Sequence, residues 1–263
     1  APYPFEIYLV ATPGLEAPLC AEALAAGFAD ARIVEGGVAF SGHWPDVWRA
    51  NLELRGTTRV LARIGSFRAM HLAQLDKRAR KLDWAAMLRA DVPVKVEASC
   101  KRSRIYHAGA AAQRVATAIA EELGAPIAED ADLRVMVRIE DDLVTISLDT
   151  SGASLHKRGF KEGVAKAPMR ETMAAMFLAQ CGYDGSQSVL DPMCGSGTFV
   201  IEAAEIALGL KPGRERSFAF ELLPGFDRKA WEAMRAPTPL RETGLRFYGS
   251  DRDPGAIRMA TEN

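Results

Sequence analysis

The stretch SVLDPMCGSGTFVIEAAEIALG, residues 188–209, decides the fold of the C-terminal part of the chain. Its first apolar residues are typical of a short strand buried on both faces of a parallel sheet, and Asp191 ends this strand. Gly195 and Gly197 follow, and the next apolar stripe predicts a helix from about residue 198 to 208. Open α/β sheets bind ligands at the carboxyl ends of their strands, where helix N-termini also point. The stretch therefore predicts an α/β domain with a ligand site at Asp191.

Three classes of ligand could use such a loop. A P-loop for ATP requires a lysine after its last glycine, and none follows Gly197. A dinucleotide fingerprint requires a third glycine at the position of Val200. S-adenosylmethionine fits better, because its cationic methionine end is favoured near a carboxylate such as Asp191. Its ribose hydroxyls require a second acid, which Asp251 supplies at the end of the next predicted strand, in GLRFYGSDRDPGAI (244–257).

Each of these features has a simpler interpretation when taken alone. The Gly-x-Gly sequence could be only a tight turn, and Asp251 could be only a helix cap. Their order along the chain, with both acids at strand ends, favours a site for the methyl donor.

Composition and residue spacing argue against a strongly basic nucleic-acid-binding protein, a protein with a structural metal and a membrane-spanning protein. The chain has 263 residues, 48% of them hydrophobic, and 33 Lys and Arg against 34 Asp and Glu, so any nucleic-acid contact must come from local patches. The 4 Cys and 4 His lie far apart without metal-ligand spacing, which predicts reduced thiols and no metal. No apolar run is long enough to span a bilayer, and the N-terminus is typical of a strand rather than a signal peptide. We expect a cytoplasmic protein.

The N-terminal part predicts an α+β fold made of two units. The first has the order β-α-β-β-α-β, which is the ferredoxin-like arrangement. The second contains a strand, a helix and a hairpin that turns at Asp141 and Asp142. A cationic, glycine-containing connector follows and predicts a domain boundary. The predicted elements are strand 5–11, helix 14–27, strands 31–35 and 37–41, helix 44–54, strand 57–67, a short helical piece at 83–88, strand 92–99, helix 111–124, hairpin 133–149 and helix 169–182.

Five segments carry a resemblance to a known family. LDPMCGSGTFVIEAA (190–204) resembles the cofactor loop of the class I RNA methyltransferases that carry a THUMP domain, most closely the bacterial branch that methylates guanine N2 of 23S rRNA. The other segments occur in the same order as in that family: LHKRGF (155–160), APMRETMAA (167–175), FAFELLPGFD (218–227) and GSDRDPGAI (249–257).

The resemblance implies a ferredoxin-like domain at 1–67, a THUMP domain at 68–152, a connector at 153–167 and the first part of a truncated, Rossmann-like α/β methyltransferase domain at 168–263. It also implies S-adenosylmethionine as the cofactor. The implied cofactor-binding residues are Asp191, Gly195, Ser196, Gly197, Asp251, Glu171 and Thr172, of which the last two could equally belong to an ordinary helix surface.

RNA, most of all ribosomal RNA, is the partner that the resemblance implies. Two basic segments, KRSRIYH (101–107) and HKRGFK (156–161), could contact it, because cations bind phosphates and an exposed aromatic ring can stack on an unpaired base. Each could also be only a solvated surface. The predicted RNA-binding residues are Lys101, Arg102, Arg104, Tyr106, Lys157 and Arg158, with His107, His156 and Lys161 in the same segments.

One departure from the family leaves the catalytic residues unnamed. Related enzymes carry an [Asn/Asp]-Pro-Pro-[Tyr/Phe] loop that holds the amine of the base, and no such tetrapeptide occurs here. We therefore expect an incomplete methyltransferase domain that is inactive alone. Cys194 is interpreted as a packing residue rather than a nucleophile. The alternatives are an adenine-N6 DNA methylase, a non-catalytic RNA-binding module and, least favoured by Val200, a nicotinamide-dependent reductase.

Overall fold

A computed structural model describes residues 3–161 and 168–263. Its main feature is one seven-stranded sheet in the N-terminal part of the chain. The strands are β1 (Phe5–Val10), β2 (Arg32–Val34), β3 (Gly37–Gly42), β4 (Arg59–Arg68), β5 (Val94–Lys101), β6 (Leu133–Glu140) and β7 (Leu143–Asp149). Their order across the sheet is β2-β3-β1-β4-β7-β6-β5. Both predicted N-terminal units thus contribute strands to a single sheet.

The first unit has the predicted β-α-β-β-α-β order. Helix α1 (Glu16–Ala25) follows β1, and helix α2 (Trp44–Glu53) follows β3. Strand β1 lies between β3 and β4 and is antiparallel to both. The apolar sides of these strands, including Ile7, Leu9 and Phe40, are fully buried. The ferredoxin-like prediction is confirmed.

Strand β4 joins the two units. Its residues 59–62 pair with β1, and the stretch from Leu61 to Arg68 pairs with β7, with a bulge between Arg63 and Gly65. The boundary predicted between residues 67 and 68 falls within β4. A strand that forms hydrogen bonds in both units makes them one continuous framework.

The second unit places its helices against one face of the sheet. They are α3 (Leu72–Ala79), α4 (Trp84–Met87) and α5 (Ala108–Leu123). Asp141 and Asp142 form the predicted turn, with φ values of 49° and 62°. Helix α5 begins three residues before the predicted start, because His107 Nδ1 accepts a hydrogen bond of 3.0 Å from the Ala110 N–H and caps it. Helix α3 was not predicted.

The C-terminal part contains a small parallel sheet. Strand β8 (Val189–Asp191) pairs with β9 (Phe247–Gly249). Its helices are α6 (Glu171–Gln180), α7 (Thr198–Leu208), α8 (Arg228–Arg235) and α9 (Pro254–Glu262), with a 3-10 helix at Ala219–Leu222. Helix α7 has the predicted bounds. The predicted burial of the strand on both faces is wrong, because the described residues give β8 one neighbouring strand and leave Leu190 67% exposed.

An aromatic cluster fastens the C-terminal part to the first unit. Phe220 lies 4.9 Å from Trp231 and 6.0 Å from Trp48 of α2, measured between ring centroids. Phe218 and Phe226 complete the cluster, and Trp231 is fully buried. Such rings contribute large buried areas and favourable edge-to-face contacts. The segment 218–227 therefore holds the two parts of the chain together.

No helix within residues 3–161 and 168–263 is both long and apolar enough to cross a bilayer.

Candidate functional site

The loop after β8 is shaped by backbone hydrogen bonds to the end of β9. The Ser250 N–H donates to the Asp191 carbonyl at 2.9 Å, and the Cys194 N–H donates to the Ser250 carbonyl at 2.9 Å. Gly195 and Gly197 have φ values of 54° and 87°, which residues other than glycine adopt only with strain. Nothing lies within 4 Å of the place where a Cβ on Gly195 would sit. The loop thus presents bare backbone at the carboxyl edge of the sheet.

Two carboxylates border this loop, as the sequence predicts. Asp191 Oδ1 accepts a hydrogen bond of 2.9 Å from the Met193 N–H. Asp251 accepts one of 2.9 Å from the Asp253 N–H and one of 3.0 Å from the Gly195 N–H, and these bonds hold the pKa of Asp251 below its usual value. An ionised carboxylate has about four acceptor positions, so Asp251 can still accept ligand hydroxyls.

The cap of α9 is a different aspartate. Asp253 Oδ1 accepts a hydrogen bond of 2.8 Å from the Gly255 N–H. The simpler interpretation of Asp251, as the cap of this helix, is therefore wrong. Its carboxylate instead ties the end of β9 to the glycine loop.

The start of α6 lies against the start of α7. Lys161 Nζ donates to Glu171 Oε1 at 3.1 Å and to Thr198 Oγ1 at 2.9 Å. Lys161 belongs to the second predicted basic segment, yet its charge braces these helices instead. Thr172 is 1% exposed, and its Oγ1 has no hydrogen-bond partner within the described ranges. A buried hydroxyl without a partner is costly, and a bound ligand could satisfy it.

Cys194 packs inside the loop. Its side chain is buried, and burial raises the pKa of the thiol. A Cβ added at Gly249 would lie 2.8 Å from Cys194 Sγ, so the sulfur already fills the space against β9. Both observations favour the predicted packing role over a nucleophile.

Arg158 was predicted to bind RNA, and the structure places it inside the protein. It is 2% exposed, and its Nε donates to Glu202 Oε1 at 3.0 Å. Glu202 of α7 also accepts a hydrogen bond of 3.1 Å from Arg55, which follows α2. Because its guanidinium is enclosed and paired, Arg158 cannot reach a phosphate on a bound RNA. The residues of this buried ion network are Arg55, Arg158, Glu202, Glu205 and Arg214.

The predicted residues of the first basic segment are two cations that pair with carboxylates and two further residues that are exposed to solvent. Lys101 pairs with Glu35 at 2.8 Å, and Arg102 pairs with Glu140 at 2.6 Å. Arg104 is exposed, and Tyr106 is 84% exposed. His107 caps α5 as described. In the second segment, Lys157 is exposed.

The connector is held by a second, partly buried arginine. Arg216 donates to four carbonyl oxygens, those of Ser151, Ala153, Ser154 and Lys157, at 2.7 to 3.0 Å. Its burial lowers the pKa of Arg216 to about 10. These bonds fix the connector between the N-terminal sheet and α7.

We expect His156 in this connector to make the protein less stable in weak acid. Burial, and next the charge of Arg170, lower the pKa of His156 from 6.5 to about 4. The unfolded chain therefore binds a proton first, and stability is lost as the pH falls from about 6.5 to about 4. Since His156 is only half-buried, the loss between pH 7 and pH 5 should be about 1 kcal/mol.

Urea unfolding of the parent and of His156→Gln at both pH values measures this loss. The variant should lose about 1 kcal/mol less than the parent between the two pH values. Equal losses in both proteins would contradict the assignment.

Three protein-family models match the chain. An RlmL ferredoxin-like domain matches residues 6–61, a THUMP domain matches 69–149, and an RMKL-like methyltransferase domain matches 158–263. A solved structure from Listeria monocytogenes, described as a predicted N6-adenine-specific DNA methylase, is 32% identical with a TM-score of 0.89. That match covers 98% of this chain and 70% of the Listeria chain. This chain belongs to the THUMP-domain class I methyltransferases.

Other members of this methyltransferase family show the same architecture. SMU.472, described as a putative methyltransferase complexed with SAH, is 27% identical with a TM-score of 0.88, and the match covers 99% of this chain and 71% of that one. The ribosomal RNA large subunit methyltransferase K/L of Vibrio campbellii is 31% identical over an alignment of 271 positions that covers 97% of this chain. The chain spans 38% of the length of that Vibrio protein.

Proposed function

We propose that the chain binds S-adenosylmethionine on the loop after β8 and RNA on its N-terminal half, in an enzyme that methylates guanine N2 of 23S rRNA. One observation carries this proposal. Asp191 and Asp251 stand at the carboxyl ends of two adjacent parallel strands, on either side of a glycine loop whose backbone is open. This is where α/β sheets bind nucleoside ligands.

Each predicted cofactor residue has a role in the proposed site. Asp251 accepts the ribose hydroxyls, and Asp191 places negative charge near the cationic methionine end. Gly195 leaves room for the ligand, whereas a Cβ on Gly197 would lie 3.2 Å from Ala260 Cβ of α9, and Ser196 is buried between the two glycines. Glu171, braced by Lys161, and Thr172, whose hydroxyl has no partner in the described parts of the chain, extend the site to α6. The SAH described in SMU.472 supports the choice of cofactor.

When bound, S-adenosylmethionine supplies an electrophilic methyl group. The residues of the chain contribute binding and orientation, which can account for a large share of a rate enhancement. The target base must be unpaired or turned out of its helix to reach the donor.

The N-terminal half supplies the proposed RNA contacts. Arg104, Tyr106 and Lys157 are exposed and serve as candidate contacts for phosphates and an unpaired base. Lys101 and Arg102 also remain candidates, but an RNA phosphate must compete with Glu35 and Glu140 for their charges.

Transfer of the methyl group requires a residue that holds the acceptor amine. Residues 1–263 contain no [Asn/Asp]-Pro-Pro-[Tyr/Phe] sequence. We therefore propose that these residues alone bind the donor and RNA without completing the transfer.

Two measurements test the proposal. Isothermal titration of the chain should show binding of S-adenosylmethionine and of SAH, with no binding of ATP or NADH. The natural protein that contains this sequence should transfer labelled methyl groups to undermethylated ribosomal RNA, and nucleoside digestion should give N2-methylguanosine. Label found only in adenine of DNA would support the activity named for the Listeria relative instead. RNA binding without any donor binding would support the non-catalytic module.

A further inference from the structure

The exposed cations of the N-terminal half differ in whether carboxylates neutralise them. Lys101, Arg102 and Arg138 all pair with Glu35, Glu140 or Asp141. A second group of exposed cations includes Lys77, Arg78 and Lys81, which lie close together in the sequence. Within residues 3–161 and 168–263, these three have no carboxylate oxygen within 4.0 Å. Three neighbouring unneutralised cations thus lie at α3 and directly after it, outside the basic segments that the sequence predicted.

The three cations line a groove between the end of β4 and α3. The groove has a volume of about 640 Å³. Its other polar lining includes Ser66, His71 and Gln74. Lys77 and Arg78 belong to α3, and Lys81 follows the end of this helix. The groove is thus a positively charged channel with cations along one side.

Helix α3 is held rigidly in place. Leu75 and Ala79 are fully buried beneath it. Asp76, the only acid of the helix, pairs with Arg80 at 3.1 Å, and Arg80 also reaches Glu121 of α5 at 2.6 Å. The negative charge of α3 is therefore neutralised away from the groove.

Helix stability explains only part of this arrangement. Lys77 and Arg78 lie in the last turn of α3, where cations interact favourably with the helix dipole. Lys81 lies beyond the helix, and like charges four residues apart repel each other. A polyanion bound along the groove would offset that repulsion.

The groove begins next to the candidate RNA contacts Arg104 and Tyr106. Asp142 joins the two regions, because its carbonyl accepts a hydrogen bond of 3.0 Å from the Ala69 N–H. Its carboxylate Oδ1 accepts one of 2.8 Å from the Arg104 N–H. These bonds link the backbone directly after β4 to the segment that carries Arg104 and Tyr106.

We infer that this groove binds the phosphate backbone of the RNA substrate, through Lys77, Arg78 and Lys81. The inference rests on the proposed function, and it adds a contact surface that the basic segments did not predict. Successive phosphates are the anions that suit a row of long, flexible, unpaired cations. RNA bound there would extend across the turn at Asp142 toward Tyr106.

Fluorescence anisotropy with a labelled RNA stem-loop tests the inference. The variant is Lys77→Ala/Arg78→Ala/Lys81→Ala, and the matched control is Arg32→Ala/Arg89→Ala/Arg228→Ala, which also removes three charges, from exposed positions that pair with Glu6, Asp91 and Glu221. The groove variant should bind at least about tenfold more weakly, and the slope of log affinity against log salt should fall by about 2 to 3. The control should lose about threefold or less in affinity for the RNA, because carboxylates already neutralise the cations that it removes.

Several outcomes would overturn the inference: groove-variant affinity equal to that of the parent, a larger loss in the control, or a parent chain that does not bind the stem-loop. A groove variant that binds RNA normally but captures an acidic protein less well would also overturn it.

Titration of S-adenosylmethionine on the same variants separates a failure of this inference from a failure of the proposed function. Donor binding should be unchanged in both, and its absence from the parent would count against the methyl-donor site alone.

Discussion

Replacing Glu202 with alanine should lower the free energy of unfolding by about 3–5 kcal/mol. Glu202 is fully buried and bonds both Arg158 and Arg55. Without it, two enclosed guanidinium groups lose an anionic partner, and water cannot replace it. Urea unfolding followed by fluorescence of Trp48 and Trp231 measures the effect, because both rings lie in the aromatic cluster.

The control for this prediction is Glu121→Ala. Glu121 pairs with Arg80 at 2.6 Å, but its side chain is 59% exposed. Water and salt screen such a pair, so its loss should cost only about a tenth as much. A second variant, Glu202→Gln, keeps the shape and removes the charge, and it should lie between the parent and Glu202→Ala. Similar small losses for Glu202→Ala and Glu121→Ala would show that the buried network does not stabilise α7.

Replacing Asp251 with asparagine should weaken the binding of S-adenosylmethionine by about 10- to 100-fold. Hydrogen bonds to an ionised acceptor are roughly twice as strong as those between neutral groups, and the proposed ribose contact depends on that charge. Asparagine has one acceptor oxygen, so it keeps only one of the two backbone hydrogen bonds from the Gly195 and Asp253 N–H groups, and part of the loss comes from the loop itself. Isothermal titration with S-adenosylmethionine and SAH measures the loss.

Asp227→Asn is the matched control for Asp251→Asn. Asp227 also accepts a backbone hydrogen bond, from the Ala230 N–H at 3.0 Å, but it caps α8 rather than bordering the glycine loop. Donor affinity should therefore stay within about twofold of the parent. If Asp251→Asn bound the donor as tightly as Asp227→Asn did, Asp251 would have only a structural role.

Local sequence predicted the parts of the fold that depend on local patterns. Helix α7 was predicted with its observed bounds, because an apolar stripe begins directly after Gly197 and ends before Gly209. Asp191 was found because it ends an apolar run, and Asp251 because it lies just after the next predicted strand. Helix α3 was missed because LAQLDKRA spans only about two helical turns, which is too short for a periodic apolar stripe to stand out.

Long-range pairing could not be predicted from these patterns. Arg158 belongs to a basic segment typical of a solvated surface, and its partner Glu202 stands 44 residues later on α7. Lys101 pairs with Glu35, which lies 66 residues earlier in the sequence. The pairing of β4 with β7 likewise depends on which strand lies beside it, and an apolar alternation does not specify that. Only the glutamates in the otherwise apolar helix α7 could have indicated that a buried cation such as Arg158 pairs with this helix.

Because the two N-terminal units share strand β4, they keep a fixed position relative to each other. Because β4 forms hydrogen bonds in both N-terminal units, a swivel between them would require breaking the sheet. The aromatic cluster and the buried ion network then fix the loop after β8 to the same framework. Under the proposed function, RNA bound to the N-terminal half would meet the donor at a fixed distance, and the modified nucleotide would be selected by its distance from the bound element. Lengthening the RNA between these two points should move the modified position rather than abolish modification.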